Sequence, residues 1–147
     1  MLSNACKYAI RSILYLAIHS DETHKIGVKK VAEEIETPQP FLAKLLQQLV
    51  TNKLVSSSKG PKGGFFLDKK NKEKSVWDII KTIDGTDKFD QCFLGYLPVM
   101  MKTPDLHIDL YLLLKINFND FRDKTIASLV EEIKENGTVI SLKGFNN

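Results

Sequence analysis

Residues 54–67, Leu54-Val55-Ser56-Ser57-Ser58-Lys59-Gly60-Pro61-Lys62-Gly63-Gly64-Phe65-Phe66-Leu67, place two short β-type runs around a basic, glycine-rich tip. Leu54-Val55-Ser56 and Phe65-Phe66-Leu67 read as strands. Lys59 to Gly64 has the chemistry of a tight turn, where Gly tolerates positive φ and Pro fixes its own. Taken alone, such a hairpin is an ordinary exposed loop. Its meaning comes from the two helical patterns directly before it. Together they predict a mainly α fold with a small β-hairpin wing: a winged helix-turn-helix domain, with a long helix further down the chain.

Upstream of the hairpin, Thr37-Pro38 offers an N-cap followed by Pro at the first helical position. Pro40 falls in the first turn, where its missing N–H removes no intrahelical bond. The helix they open runs to about Asn52, with Phe41, Leu42, Leu45, Leu46 and Leu49 facing a core and Gln39, Lys44, Gln47, Gln48 and Thr51 on the other side. Before it, Val28, Val31, Ala32 and Ile35 mark a short helix, and Ile35-Glu36-Thr37 forces a sharp turn between the two. Ser3 to His19 carries Ala5, Ala9, Ile13, Leu16 and Ala17 at helical spacing, with Ser3 or Asn4 as N-cap and Tyr8 and Arg11 on the outer face. The polar stretch Ser20 to Gly27 reads as a loop.

Downstream, Lys69 to Lys74 is charged and loop-like. Ser75-Val76-Trp77-Asp78 resembles a capping box with Asp in place of Glu, opening a helix that ends near Asp84-Gly85 and puts Trp77 in the core. Residues 86–104 lack periodicity but are strongly apolar, with Phe89, Phe93, Tyr96, Met100 and Met101 either lining an effector pocket or forming a seam under a dimer helix. Thr103-Pro104-Asp105 repeats the cap-then-proline signal and opens a long helix; Thr125 caps a last one through Ile133, ended by Asn136-Gly137. The chain therefore divides into a winged helix-turn-helix DNA-binding domain at 1–85, an apolar loop region at 86–104, and 105–147 with a long helix, a C-terminal helix and a tail.

The 147 residues are 43% hydrophobic, enough for one core, and no apolar run approaches the roughly 20 residues that span a bilayer. No signal-peptide pattern opens the chain, and two distant cysteines imply no disulfide framework, so a cytoplasmic protein with no membrane partner is expected. The net charge of +3 is unevenly spread: residues 1–75 hold 13 Lys or Arg against 7 Asp or Glu, residues 76–147 hold 8 against 11. The basic half, which carries the hairpin, suits contact with a polyanion.

A helix in the major groove reads base edges through side chains near its N-terminal end, while flanking elements hold phosphates. Gln39, Lys44, Gln47 and Gln48 are the candidates for groove contacts. Lys7, Tyr8, Arg11, Ser57, Lys59 and Lys62 are the candidates for phosphate or minor-groove contacts.

The stretches Tyr8-Ala9-Ile10-Arg11, Val31-Ala32, Pro40 to Leu46, Leu54 to Leu67 and Val76 to Gly85 resemble the IscR, NsrR and CymR type of bacterial winged-helix regulators, the Rrf-two family. The likeness is continuous to about Gly85 and resumes at Leu106-His107 and Thr125 to Leu129. It implies a homodimer that binds a pseudo-palindromic operator, with 86–104 as a sensor-type loop region and the long helix from about Asp105 crossing its partner as the dimerisation helix. The whole chain reads as a regulator of double-stranded operator DNA, expected to be a repressor and not an enzyme, with a protein or small-molecule effector; the sequence itself does not distinguish repression from activation. Cluster-binding members carry three cysteines spaced Cys-x5-Cys-x5-Cys. This chain keeps Cys92 at the first place, has Pro98 and Pro104 at the other two, and has His107 where some members use a histidine. No iron-sulfur cluster and no other cofactor or metal is expected.

Cys92 remains open to three readings: a buried structural thiol, a redox-sensing thiol, or a ligand to metal or effector. His107 reads as an interface or core residue before a ligand, and Cys6 as packing. Two rival functions stand beside the regulator. One is a winged-helix interaction module partnering a metabolic enzyme; the other is a thiol or metal-dependent enzyme using Cys92 and His107, against which no oxyanion or nucleotide-binding motif is found.

Overall fold

The computed structural model describes residues 2–86 and 122–135. Helix α1 (Asn4–His19) opens with Ser3, whose hydroxyl accepts the Cys6 N–H at 3.1 Å. The same Ser3 donates its N–H to Asp84 Oδ2 at 2.8 Å and its hydroxyl to Asp84 Oδ1, tying the start of α1 to the end of α5 (Val76–Asp84). Every residue from Arg11 to Ala17 is buried, so α1 is a central strut rather than a surface helix. Helices α2 (Val28–Glu34), α3 (Gln39–Thr51), α5 and α6 (Ile126–Glu135) all pack on it. Ile13, Leu16, Ile35, Leu42, Leu46, Leu49 and Leu67 are essentially inaccessible. Burying each contributes about 1.5–3 kcal/mol, and truncating one such as Leu46 to Ala costs about 2–5 kcal/mol because a cavity remains.

Both ends of the helix-turn-helix close in the same way. After α2, the Thr37 N–H reaches back to Ala32 O (3.0 Å) and the Glu36 N–H to Glu33 O (3.4 Å), with Glu36 at φ 53°. After α3, the Leu54 N–H reaches Leu49 O (2.9 Å) and the Lys53 N–H reaches Val50 O (3.0 Å), with Lys53 at φ 60°. These paired bonds are Schellman motifs, in which a left-handed residue satisfies the last carbonyls of the helix. Glycine usually fills that place; here two charged residues do. The first motif makes the sharp link between α2 and α3, and the second delivers the chain into the wing.

The wing is shifted from its expected register. Strand β1 is Ser56–Ser58, paired antiparallel with β2 (Gly64–Phe66) as Ser56↔Phe66, Ser57↔Phe65 and Ser58↔Gly64. Leu54 and Val55, read as strand, are instead buried in the core as the α3 turn unwinds into the hairpin. Ile26, within the stretch read as loop, forms a third rung: it exchanges hydrogen bonds with Phe65 at 2.9 and 2.8 Å. Glycine is demanded here by the fold. A Cβ on Gly64, at φ +151°, would lie 2.8 Å from the Ile26 carbonyl, and one on Gly63 would meet Lys59 C at 2.8 Å and Gly60 O at 2.9 Å.

The charged Lys69 to Lys74 stretch, expected as a loop, contains a one-turn helix, α4 (Lys69–Lys72). It forms because Asp68 and Asn71 make a capping box. Two further starts differ in detail. Pro38 rather than Thr37 is the N-cap of α3, with no side-chain cap bond, and Thr37 turns inward. Ser75 and Asp78 do form the anticipated box at the start of α5, but Trp77 is only half-buried, beneath the Arg122 guanidinium at 5.6 Å.

Helix α6 belongs to the same core as residues 2–86. The Ser128 N–H donates to Thr125 Oγ1 at 3.1 Å, the expected cap. Val76 and Ile126 donate to Lys124 O (3.2 Å) and Lys74 O (2.9 Å), a short bridge that pins α6 beside α5. Ile126 and Val130 enter the main core cluster with Ala9 and Ile13. No described helix is long and apolar enough to cross a membrane.

Candidate nucleic-acid interface

Helix α3 buries Leu42, Leu45, Leu46 and Leu49 and leaves an outward face. Gln39, Lys44, Gln47 and Gln48 are all exposed, as the alternation of apolar and polar positions predicts. Phe41 was expected in the core but is 40% exposed. The 3.6-residue period explains why: Phe41, Lys44 and Gln48 fall in one row at i, i+3 and i+7, on the polar side of the helix. That row was the available signal. Gln48 is held in place, its Nε2 donating to Thr82 O of α5 at 3.0 Å.

The wing stands next to this face in the chain and is joined to it by Asn71. That side chain is 4% exposed, donates Nδ2 to Lys53 O at 2.9 Å, and accepts at Oδ1 from Ser56 Oγ (2.8 Å) and the Asp68 N–H (3.0 Å). One amide therefore links the end of α3, the first wing strand and the exit of the second. Ser20 supports the other side, donating to Leu16 O at 2.6 Å and accepting the Leu67 N–H at 3.3 Å. Local sequence carries a signal for one of these clamps alone, the Asp68-x-x-Asn71 spacing of a capping box. At the hairpin, Ser57, Lys59 and Lys62 are exposed.

The α1 candidates divide. Lys7 is half-buried, and Tyr8 is half-buried with its ring edge-on to Phe41, centroids 5.8 Å apart at 76°. Arg11 is buried at 7% exposure, against its expected place on the outer face, because four helices pack on α1. So buried, Arg11 does not stand on the outer face that a phosphate contact requires. On α2, Lys30 is engaged by Glu34 at 2.9 Å, and the carboxylate raises its pKa through a hydrogen bond and then charge. Lys29 on the same helix is exposed.

The surface can therefore present amides and an aromatic ring from α3, with ammonium groups from α3 and the hairpin tip. Amides and lysines on a helix, flanked by lysines on a glycine-rich hairpin, are donors suited to base edges and phosphates. Cys92, His107, the apolar loop after residue 86 and the long helix from about Asp105 lie outside the described residues. Among the described residues no three His, Cys, Asp or Glu side chains come together as a metal-binding group, and Cys6 is packed with Val76 and Ile80.

The family model described as "Iron-dependent Transcriptional regulator", Rrf2, matches residues 2–132. A protein of Aquifex aeolicus assigned to the HTH-type transcriptional regulators is 36% identical over 94 residues, 64% of each chain. The HTH-type transcriptional regulator IscR of Klebsiella pneumoniae is 30% identical over 91 residues, covering 62% of this chain and 55% of that one. The match thus spans less than two thirds of the length of these relatives. The structure of CymR, the global cysteine regulator of B. subtilis, shares the fold with a TM-score of 0.67 at 20% identity, covering 90% of this chain and 97% of that one. The two-stranded hairpin after a helical pair is thus the winged-helix arrangement. With the family model extending over most of its length, this chain belongs to the Rrf2 family of transcriptional regulators.

Proposed function

We propose that the protein is a homodimeric, DNA-binding repressor that acts in the cytoplasm on a pseudo-palindromic operator and has no catalytic role. The observation that carries this reading is the exposed row Phe41, Lys44 and Gln48, with Gln47 beside it, on a helix joined through Asn71 to a lysine-tipped hairpin. Helix α3 enters the major groove, and Lys59 and Lys62 approach the flanking phosphates. Fluorescence titration of the full chain against duplexes enriched from a random library tests it. A single enriched dyad-symmetric sequence, bound two chains per duplex, is the expected result. Binding of equal strength to all duplexes would reject sequence reading in favour of an interaction module.

The family model's description implies iron, and the sequence of this chain departs from the three-cysteine ligand set of cluster-binding members. Only Cys92 and His107 match ligand places, with Pro98 and Pro104 at the other two cysteine sites. We therefore propose that DNA binding proceeds without a three-cysteine cluster and that the signal is a protein, a small molecule or oxidation of Cys92. Protein purified without oxygen is expected to be colourless and iron-free; visible absorbance with stoichiometric iron would overturn this.

A further inference from the structure

Phe41 is an exposed aromatic ring at the third position of α3, in the first turn, where a groove-binding helix meets base edges. At 40% exposure part of the ring still meets water, and covering it with an apolar group would be favourable. The ring is not loose: Tyr8 of α1 packs edge-on against it at 5.8 Å, holding it on the same row as Lys44 and Gln48. Lys44 in the same row carries a cation and Gln47 beside it an amide, groups that hydrogen-bond to guanine or adenine edges. Phe41 can do neither. The one apolar feature that B-DNA presents in the major groove is the thymine C5-methyl group.

We propose that Phe41 is a specificity-determining residue that reads a thymine methyl in each half-site, with Tyr8 as the residue that positions its ring. This rests on the DNA-binding reading above. Tyr8 then serves α3 through its ring and is not primarily a phosphate contact. The contact adds discrimination to a helix on which Lys44 and Gln47 are long and flexible, because a ring packed against Tyr8 loses little freedom on binding.

The test uses the full chain and its library-selected duplex. Each thymine is replaced in turn by deoxyuridine, which lacks only the methyl group. For the wild-type chain, one position per half-site is expected to lose about fourfold in affinity, and about 15-fold when both half-sites are changed, the scale of burying one methyl-sized group. In Phe41→Ala the same replacements should leave affinity unchanged, and Phe41→Leu should recover part of the dependence. A wild-type scan with no sensitive thymine overturns the assignment without help from any variant. A sensitivity of equal size in Phe41→Ala overturns it as well, and melting curves of both variants confirm that folded protein is compared. If no duplex is enriched at all, the DNA-binding reading fails and this proposal fails with it. A flat scan on an enriched duplex removes only the role of Phe41.

Discussion

Asn71 shows how one buried amide governs the geometry of an exposed surface. Its side chain answers a carbonyl at the end of α3, a hydroxyl in β1 and an N–H after β2, at 2.8 to 3.0 Å. Burial makes these bonds consequential, since a polar group left unpaired in the interior costs about 1–3 kcal/mol. Asn71→Ala is expected to lower unfolding free energy by about that amount in urea denaturation. A loss below about 0.5 kcal/mol would show that water replaces the amide. Lys53 makes an opposite case. It holds the left-handed place of a Schellman turn at φ 60°, which disfavours any side chain with a Cβ. Lys53→Gly should therefore raise stability by about 0.5 kcal/mol, even though glycine increases the entropy of the unfolded chain. A measured loss would mean that the Lys53 side chain makes a contribution beyond the turn.

Among the elements, α5 depends on its first turn. Ser75 accepts the Asp78 N–H at 3.2 Å, and Asp78 accepts the Ser75 N–H at 3.0 Å while pairing with Lys81 at 2.9 Å. Burial pushes the Asp78 carboxyl upward, but the bonds from Ser75 and Lys81 outweigh it, and its pKa lies below the ordinary carboxylate value. A folded pKa below the unfolded one gives stability that is complete above about pH 4 and is lost as pH falls through the depressed value. Ser75→Ala should cost about 1 kcal/mol at pH 7, and its deficit should shrink in acid as both proteins lose the ionised cap. A deficit of constant size from pH 6 to pH 2 would contradict the linkage.

The same elements show which features local sequence can reveal. The spans of α1, α3 and α5 follow from 3.6-residue periodicity and cap residues, and the exposed set Gln39, Lys44, Gln47 and Gln48 follows with them. The register of β1 did not, because Leu54 and Val55 have strand propensity while the α3 Schellman turn draws them into the core, a tertiary effect. Ile26 joining the wing depends on a partner some 40 residues away, and local composition carries no trace of it. Arg11 was misplaced for the same reason: charge predicts exposure for a helix with one free face, and α1 lies under four other helices.

At the scale of the molecule, the described C-terminal helix and the first 86 residues share one interior. Ile126 is 1% exposed within it, so Ile126→Ala should destabilise the whole described unit by about 2–5 kcal/mol, seen as a single shifted transition by circular dichroism. Two separate transitions would mean that α6 unfolds on its own. Beyond this core the chain is divided by charge, with an excess of six positive groups in residues 1–75, and the hairpin lysines lie in that half. If Lys59 and Lys62 each neutralise one phosphate, they release counterions on binding, and the dependence of log affinity on log salt steepens by about 0.9 for each. Replacing both with Ala should flatten that slope by about 2 per chain while leaving the preferred sequence unchanged, because a phosphate contact carries no base information. Titrations from about 50 to 200 mM salt resolve such a change. An altered preference at constant slope would move Lys59 and Lys62 from the backbone into a groove. An unchanged slope and affinity would place the hairpin tip away from the DNA and leave recognition to α3.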